Sequence, residues 1–324
     1  MNLSEISKLD SFALLSPGFG NNHFILCEGL HLSNEAGNLV IQPFEGEPQW
    51  YTSSAREIGL VMDITPQKIN YSADERGYCE GVETIRSHIA KGDVYQVNLT
   101  MRIKISALSG GELFATLCKK SIPRFAAWIK LPDGNEIVSA SPEMFFKKNG
   151  DTLLCQPMKG TAEKNAKEWL QNSEKDASEL AMITDLIRND MTPLCQQRSV
   201  NVTNERRFIE LPYVVQAVSD VEGTLLPEVT VADVLKGLHP CGSVTGAPKQ
   251  SAIELIKQLE NTPRKYYCGS LGYIHEDKAI FSILIRTAYR SGKEWIYGAG
   301  GGIVWDSEPL LELEEARMKM GILK

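Results

Sequence analysis

A chain of 324 residues, 43% hydrophobic and 23% charged, is long enough to bury a sizeable core and has the composition of an ordinary globular protein. Its 34 basic against 41 acidic side chains leave a net charge of −7 with no basic block, which excludes a nucleic-acid binder that works by neutralising phosphates. No apolar run approaches the length of a membrane span, and Met1 to Asp10 lacks the basic-then-apolar pattern of a secretory signal. Seven scattered cysteines without a CxxC pair argue against a disulfide framework or a zinc site, and the expected home is a reducing cytoplasm.

Residues 1 to about 70 carry short apolar runs, Phe24-Ile25-Leu26 and Leu39-Val40-Ile41, broken by Gly, Asn and Pro. They read as strands and loops covering an edge of the main body. A helix is expected from Ser72, its N-cap, with Val82, Ile85 and Ile89 as the buried stripe and Gly92 as the stop. Next comes a strand over 94–100, with Tyr95, Val97 and Leu99 on one face and Gln96 and Asn98 on the other. That polar face suits either solvent or the lining of a cleft. After a helix near 110–120 and strands near 125–131 and 136–140, Glu143 and Lys159 fall in apolar-flanked segments around Asn149-Gly150, a hairpin tip. Two antiparallel strands would bring that carboxyl and that amine towards one cavity, either as a cross-strand ion pair or as an acid–base site.

The helix expected over 173–190 buries Leu180, Ile183 and Ile187 and sets Asp176 and Glu179 side by side at i and i+3. The final helix, from about Ser307, repeats that spacing with Glu312 and Glu315, and places Lys319 one turn on. Each pair is either a solvated acidic face or half of a seat for a hard cation such as Mg²⁺. Between these helices, Thr245 lies before Pro248 at an expected anion-binding helix start, although the spacing is not that of a P-loop. Strands follow at about 265–275, 279–289 and 294–299. Arg286, inside an apolar run, is either paired or waiting for an anion, and the glycines at 298 and 300–302 leave backbone amides open to a ligand.

Taken in order, eight segments resemble the chorismate-utilising enzymes. They are GDVYQVNLT (92–100), SPE (141–143), PMKGT (157–161), KDASELAMITDLIRND (175–190), GSVTGAPK (242–249), YCGSLGY (267–273), IRTA (285–288) and GAGGGIVWDSEPLLELEE (298–315). The resemblance implies an α+β fold in which antiparallel sheets pack as a sandwich with helices outside and the cleft lies between the sheets. It implies a catalytic domain over 72–324 and a short N-terminal strand-and-loop segment over 1–71. That segment lacks the Leu-Leu-Glu-Ser stretch of longer members, so no feedback by tryptophan is expected.

Two positions sort the branches of this family. Water-adding members carry a lysine base where this chain has Gln96, and anthranilate synthases carry alanine where it has Lys159. The pair is similar to the aminodeoxychorismate synthase branch. By that resemblance Glu143 is the acid for the C4 hydroxyl of chorismate and Lys159 the covalent nucleophile. Asp176, Glu179, Glu312 and Glu315 would hold Mg²⁺. Arg286 and Tyr267 would take the enolpyruvyl carboxylate, while Gln96, Thr161, Gln216, Thr245, Gly300, Gly302 and Lys319 would line the rest of the substrate. Gln216 departs from the family, which usually has a histidine there. Ammonia would come from a separate glutamine amidotransferase subunit, with no nucleic acid or membrane as partner.

Overall fold

A computed structural model of the chain describes residues 11–15, 24–28, 40–41 and 51–52, then 71–323 apart from 107–108, 122, 131–133, 211–213 and 276. Strands β1 (Ser11–Leu15), β2 (Phe24–Glu28), β3 (Val40–Ile41), β4 (Tyr51–Thr52) and β5 (Tyr71–Ala73) lead to helix α1 (Glu75–Lys91). Strand β6 (Gln96–Ile105), helix α2 (Gly110–Ser121) and strands β7 (Phe125–Lys130) and β8 (Glu136–Ser141) follow. Then come β9 (Met144–Asn149), β10 (Thr152–Cys155) and β11 (Met158–Glu163). Helices α3 (Lys167–Asn172) and α4 (Glu174–Met191) precede the long strands β12 (Asn201–Glu210) and β13 (Val214–Thr224). The remainder is α5 (Val231–Leu238), β14 (Gly246–Ala247), α6 (Lys249–Leu259), β15 (Ser270–His275), β16 (Lys278–Ile283), β17 (Thr287–Ser291), β18 (Glu294–Ile303) and α7 (Pro309–Lys319).

The described strands form two large antiparallel sheets and a separate pair, β3 with β4. One runs β11-β13-β10-β9-β16-β15-β1-β2 with β12 also on β13, and the other runs β14-β6-β18-β17-β8-β7 with β5 also on β6. Helices α1, α2, α6 and α7 cover the smaller sheet over a core that includes Val82, Ile85, Ile103, Leu255 and Ala316. Helices α4 and α5 cover the larger sheet over Phe146, Ile183, Ile187, Val221 and Leu235. The expected α+β sandwich is the architecture found. Among the described residues no helix is long and apolar enough to cross a membrane. Strands β1 and β2 continue the larger sheet beyond β15, and the rest of the N-terminal segment lies outside the described residues.

Local chemistry explains the helix boundaries. The N-cap of α1 is Asp74, whose carboxylate accepts from the Gly77 amide at 2.9 Å, and not the expected Ser72, which is drawn into β5 opposite Lys104. Gly92 does end the helix, in the left-handed conformation at φ +80. Ser173 caps α4, and Thr230 with Asp233 forms a capping box on α5. On α6 the buried stripe is Ala252, Leu255 and Ile256, with Ile253 and Leu259 half-buried beside it.

The chain passes between the sheets at two neighbouring places. Pro142-Glu143 links β8 to β9, and 284–286 links β16 to β17. The crossings are tied together, since the Ile283 amide donates to the Glu143 carbonyl at 3.1 Å and the Ala140 amide to the Arg286 carbonyl at 3.1 Å. The strand expected over 279–289 is therefore two strands, with Arg286 in the break in a left-handed conformation at φ +50. That conformation costs a residue with a Cβ on the order of 1 kcal/mol and is held only where the surroundings demand it.

Candidate active site

Glu143 sits at the first crossing, 5% exposed, with Oε1 bonded to nothing. The hairpin expected around Asn149-Gly150 is present, with Gly150 at φ +59 and the ladder running from Asn149 opposite Thr152 to Phe146 opposite Cys155. Beyond Cys155 the arms part. Lys159 belongs to β11, which pairs with β13 instead of β9 and is irregular between Met158 and Thr161. Glu143 nonetheless meets that strand, where its carboxyl is acted on by the Met158 amide and by the charge of Lys159. Burial pushes the carboxyl up to about 7, against the lowering influence of the Ser243 hydroxyl, Lys159 and the Met158 amide. A carboxylic acid that keeps its proton near neutrality can serve as a general acid.

The opposite wall is the smaller sheet. Gln96 is 1% exposed with its Oε1 unpartnered, so the polar face of β6 lines the cleft and does not meet solvent. The glycines at 298 and 300–302, expected to leave their amides open to a ligand, are the second half of β18, laddered to β6 with Gly300 opposite Thr100 and Gly302 opposite Asn98. Gly298, Gly300 and Gly302 have no room for a side chain. A Cβ at Gly302 would stand 2.3 Å from Gln96 Nε2 and 3.2 Å from Lys159 Nζ, so the missing side chain is what lets amide and amine meet. At Gly300 a Cβ would strike the Leu99 carbonyl at 2.0 Å.

The four helix carboxylates gather beyond Lys159. Lys159 Nζ lies 4.0 Å from Glu179 Oε2, and Lys175 Nζ 3.9 Å from Glu179 Oε1. Lys319 pairs with Glu315 at 2.7 Å and donates to the Gly300 carbonyl at 2.8 Å. Around a Cβ position at Gly301 stand Glu312 Oε2 at 3.4 Å, Lys319 Nζ at 3.6 Å and Glu315 Oε1 at 3.7 Å, while the Asp176 carboxyl lies 3.0 Å from that of Gly160. Burial raises the Glu179 carboxyl, helped by Glu315 and Asp176 and opposed by Lys159 and Lys175. Burial raises Glu312 as well, with Glu315 adding to it. Glu315 is lowered, because Lys319 outweighs its burial.

This all-carboxylate donor set, short of positive charge at Glu179 and Glu312, fits a hard divalent cation. No three His, Cys, Asp or Glu side chains among the described residues make a finished cage, so a cation would replace lysine contacts and complete its shell with water or ligand oxygens.

The remaining expected residues divide. Gln216 is 2% exposed with Nε2 unpartnered, and it faces the same side of the larger sheet as Thr161, its register partner. No carboxylate pairs with Arg286 among the described residues, and its charge reaches Tyr297. Tyr267 is elsewhere in register, with Arg102 5.2 Å over its ring and its ring filling the space a Cβ would need at Gly298. Thr245 corrects an expectation. It is not a helix start, because α6 begins at Lys249, and its hydroxyl donates to the Cys241 carbonyl at 2.9 Å. Reading the sequence missed Ser243, Lys175 and the arginines 102 and 264. A hydroxyl inside a glycine-rich turn and isolated arginines give no periodic or motif signal.

A family model described as chorismate binding enzyme matches residues 26–324. Aminodeoxychorismate synthase component 1 of Bacillus subtilis is 34% identical over 256 residues, which cover 76% of this chain and 54% of that protein. Anthranilate synthase component 1 1 of Haloarcula marismortui is also 34% identical, over 248 residues covering 74% of this chain and 50% of that one. The chain thus spans about half the length of these curated relatives. Among solved structures, anthranilate synthase component I from Streptococcus pneumoniae TIGR4 shares the fold with a TM-score of 0.80 at 22% identity, over 98% of this chain and 81% of that one.

Proposed function

The chain belongs to the chorismate binding enzyme family, and on that premise we propose that it aminates chorismate at C4, as an aminodeoxychorismate synthase component does. The observation that carries the reading is the meeting of Lys159 and Gln96 over the bare α-carbon of Gly302, with the buried Glu143 carboxyl alongside. A glutamine cannot take a proton from water, so the side chain beside the amine suits ammonia as the entering group.

Bonds and protons balance within these residues. Lys159 forms a bond to C2 of the ring while the C4 oxygen leaves as water, having taken the proton of Glu143. Ammonia then bonds at C4, the C2–lysine bond breaks, and the carboxylate left on Glu143 accepts a proton from the new ammonium. Water and 4-amino-4-deoxychorismate are the products. Mg²⁺ held by Glu179 and Glu315, with Asp176 and Glu312 beside them, would neutralise the ring carboxylate of the bound substrate. Arg286, with no carboxylate partner among the described residues, is the group for the enolpyruvyl carboxylate. Ammonia would be supplied by a separate amidotransferase, a partner to which the "component 1" in the names of relatives corresponds.

Equal identity to an anthranilate synthase keeps one second reading in play, amination at C2. Mass spectrometry of the product from chorismate, ammonium and Mg²⁺ separates the two. Aminodeoxychorismate from the wild type and none from Lys159→Ala is the expected result. Anthranilate from the wild type would reassign the chain to the second reading and leave Lys159 a binding group.

A further inference from the structure

Arg264 lies between α6 and β15, 2% exposed. Its Nη1 donates to the Val244 carbonyl at 2.6 Å, and its Nη2 donates to the Asn98 carbonyl and to Glu260 Oε1, each at 2.6 Å. Its Nε donates to Glu260 Oε2 at 2.9 Å. Glu260 also accepts from the Thr100 amide at 2.9 Å, the Thr100 hydroxyl at 2.8 Å and Arg102 at 2.7 Å. A core ion pair accounts for the Glu260 contacts but not for the two carbonyls. They belong to neighbouring segments of the smaller sheet, β6 and the turn that leads into its partner β14. Val244 follows Ser243, whose hydroxyl acts on the Glu143 carboxyl. Asn98 lies two residues from Gln96 on β6, and its own amide returns a bond to the Thr245 carbonyl at 2.7 Å.

We propose that Arg264 is a positioning residue: by holding the Val244 and Asn98 carbonyls in one plane, it sets the gap between Gln96 and Ser243 in which Glu143 works. The guanidinium is suited to this because it offers five donors in a fixed flat fork, whereas an ammonium is a point charge that cannot span both carbonyls and the carboxylate in that geometry. Three groups act on Glu143: Ser243 on the clamped turn, and Lys159 and the Met158 amide on β11. The clamp governs the first and leaves the other two alone.

The test uses Arg264→Lys, which keeps the charge and loses the fork. Carbon-13 NMR of carboxyl-labelled glutamate, with Glu143→Gln to assign the signal, reads Glu143 directly. Loosening the turn withdraws the Ser243 hydroxyl, so the titration midpoint is expected to rise by about half a pH unit or more. In the chorismate assay kcat is expected to fall about tenfold or more with KM changed less than about threefold. Ser243→Ala should move the midpoint the same way, and the double variant no further. A folded Arg264→Lys protein with an unmoved Glu143 titration overturns the proposal, as does additivity with Ser243→Ala. If Arg264→Lys does not fold, Thr100→Val takes its place. It removes the hydroxyl's bond to Glu260 and the one it accepts from Arg102, which keeps its pairing with Glu260, and must move the midpoint in the same direction by less; no movement overturns the proposal. Only the kinetic arm rests on the amination reading. A wild type that leaves chorismate untouched would sink that reading, while the NMR titration would still decide the role of Arg264.

Discussion

Glu143 links protonation to both activity and stability. As a general acid it works while protonated, so kcat/KM is expected to fall as pH rises through about 7. Below that pH Glu143→Gln should lose about 10²–10⁴-fold in kcat/KM, and its own profile should lack the fall. The stability sign follows from the raised carboxyl. The unfolded chain releases this proton near 4.5 and the folded chain near 7, so between those values the folded state binds more protons and loses stability as pH rises. Above about pH 7 the buried carboxylate costs on the order of 2–3 kcal/mol, and Glu143→Gln should unfold in urea at higher concentration than wild type there but not near pH 5. Glu143 and Lys159 were legible because each stands in a short motif between apolar runs. Their closeness was legible for the right reason in part, since the hairpin exists, but the support of Lys159 by β13 comes from a strand about 60 residues further on. No local pattern announces that pairing.

At the scale of the element, β18 shows why a glycine run misleads. Read from sequence the strand ends near residue 299 and leaves the glycine amides open to a ligand, yet it runs on to Ile303 in a full ladder with β6, and its glycines answer to separate neighbours. Two alanine substitutions should therefore fail differently. Gly302→Ala meets the ends of two side chains, so the protein is expected to fold with a melting temperature near wild type and lose about tenfold or more in kcat. Gly300→Ala meets the Leu99 backbone carbonyl, so the ladder itself must give way and soluble, cooperatively melting protein should be hard to obtain. Thermal melts with product assays on both check the contrast. The break at Arg286 escaped reading for a related reason: its apolar run continues through the crossing, and only tertiary bonds mark where one strand ends.

For the whole molecule, the sandwich brings α4 from one outer layer and α7 from the other to the same end of the cleft. Like charges then face each other across elements that share no sequence neighbourhood. Helical spacing made each carboxylate pair and Lys319 legible, but not that Lys159 and Lys175 stand among the carboxylates. A divalent cation that bridges the layers should stabilise the fold. Millimolar Mg²⁺ is expected to raise the melting temperature by a few degrees, as ligand linkage requires for binding well above Kd. The increase should vanish in a Glu179→Gln, Glu315→Gln double variant. An equal rise in that variant would place the ion elsewhere.

The irregular register of β11 has a consequence for how the protein is made. The β9–β10 hairpin closes through contacts a few residues apart and can form as soon as it is synthesised. Among the described strands β13 alone forms a ladder with β11, and β13 begins at Val214. A chain still short of that residue holds the hairpin and the amine of Lys159, with nothing to set the amine against Glu143. The reactive pair is thus assembled late, and of ribosome-stalled chains ending before β13, between β13 and β18, and beyond β18, only the last should hold chorismate.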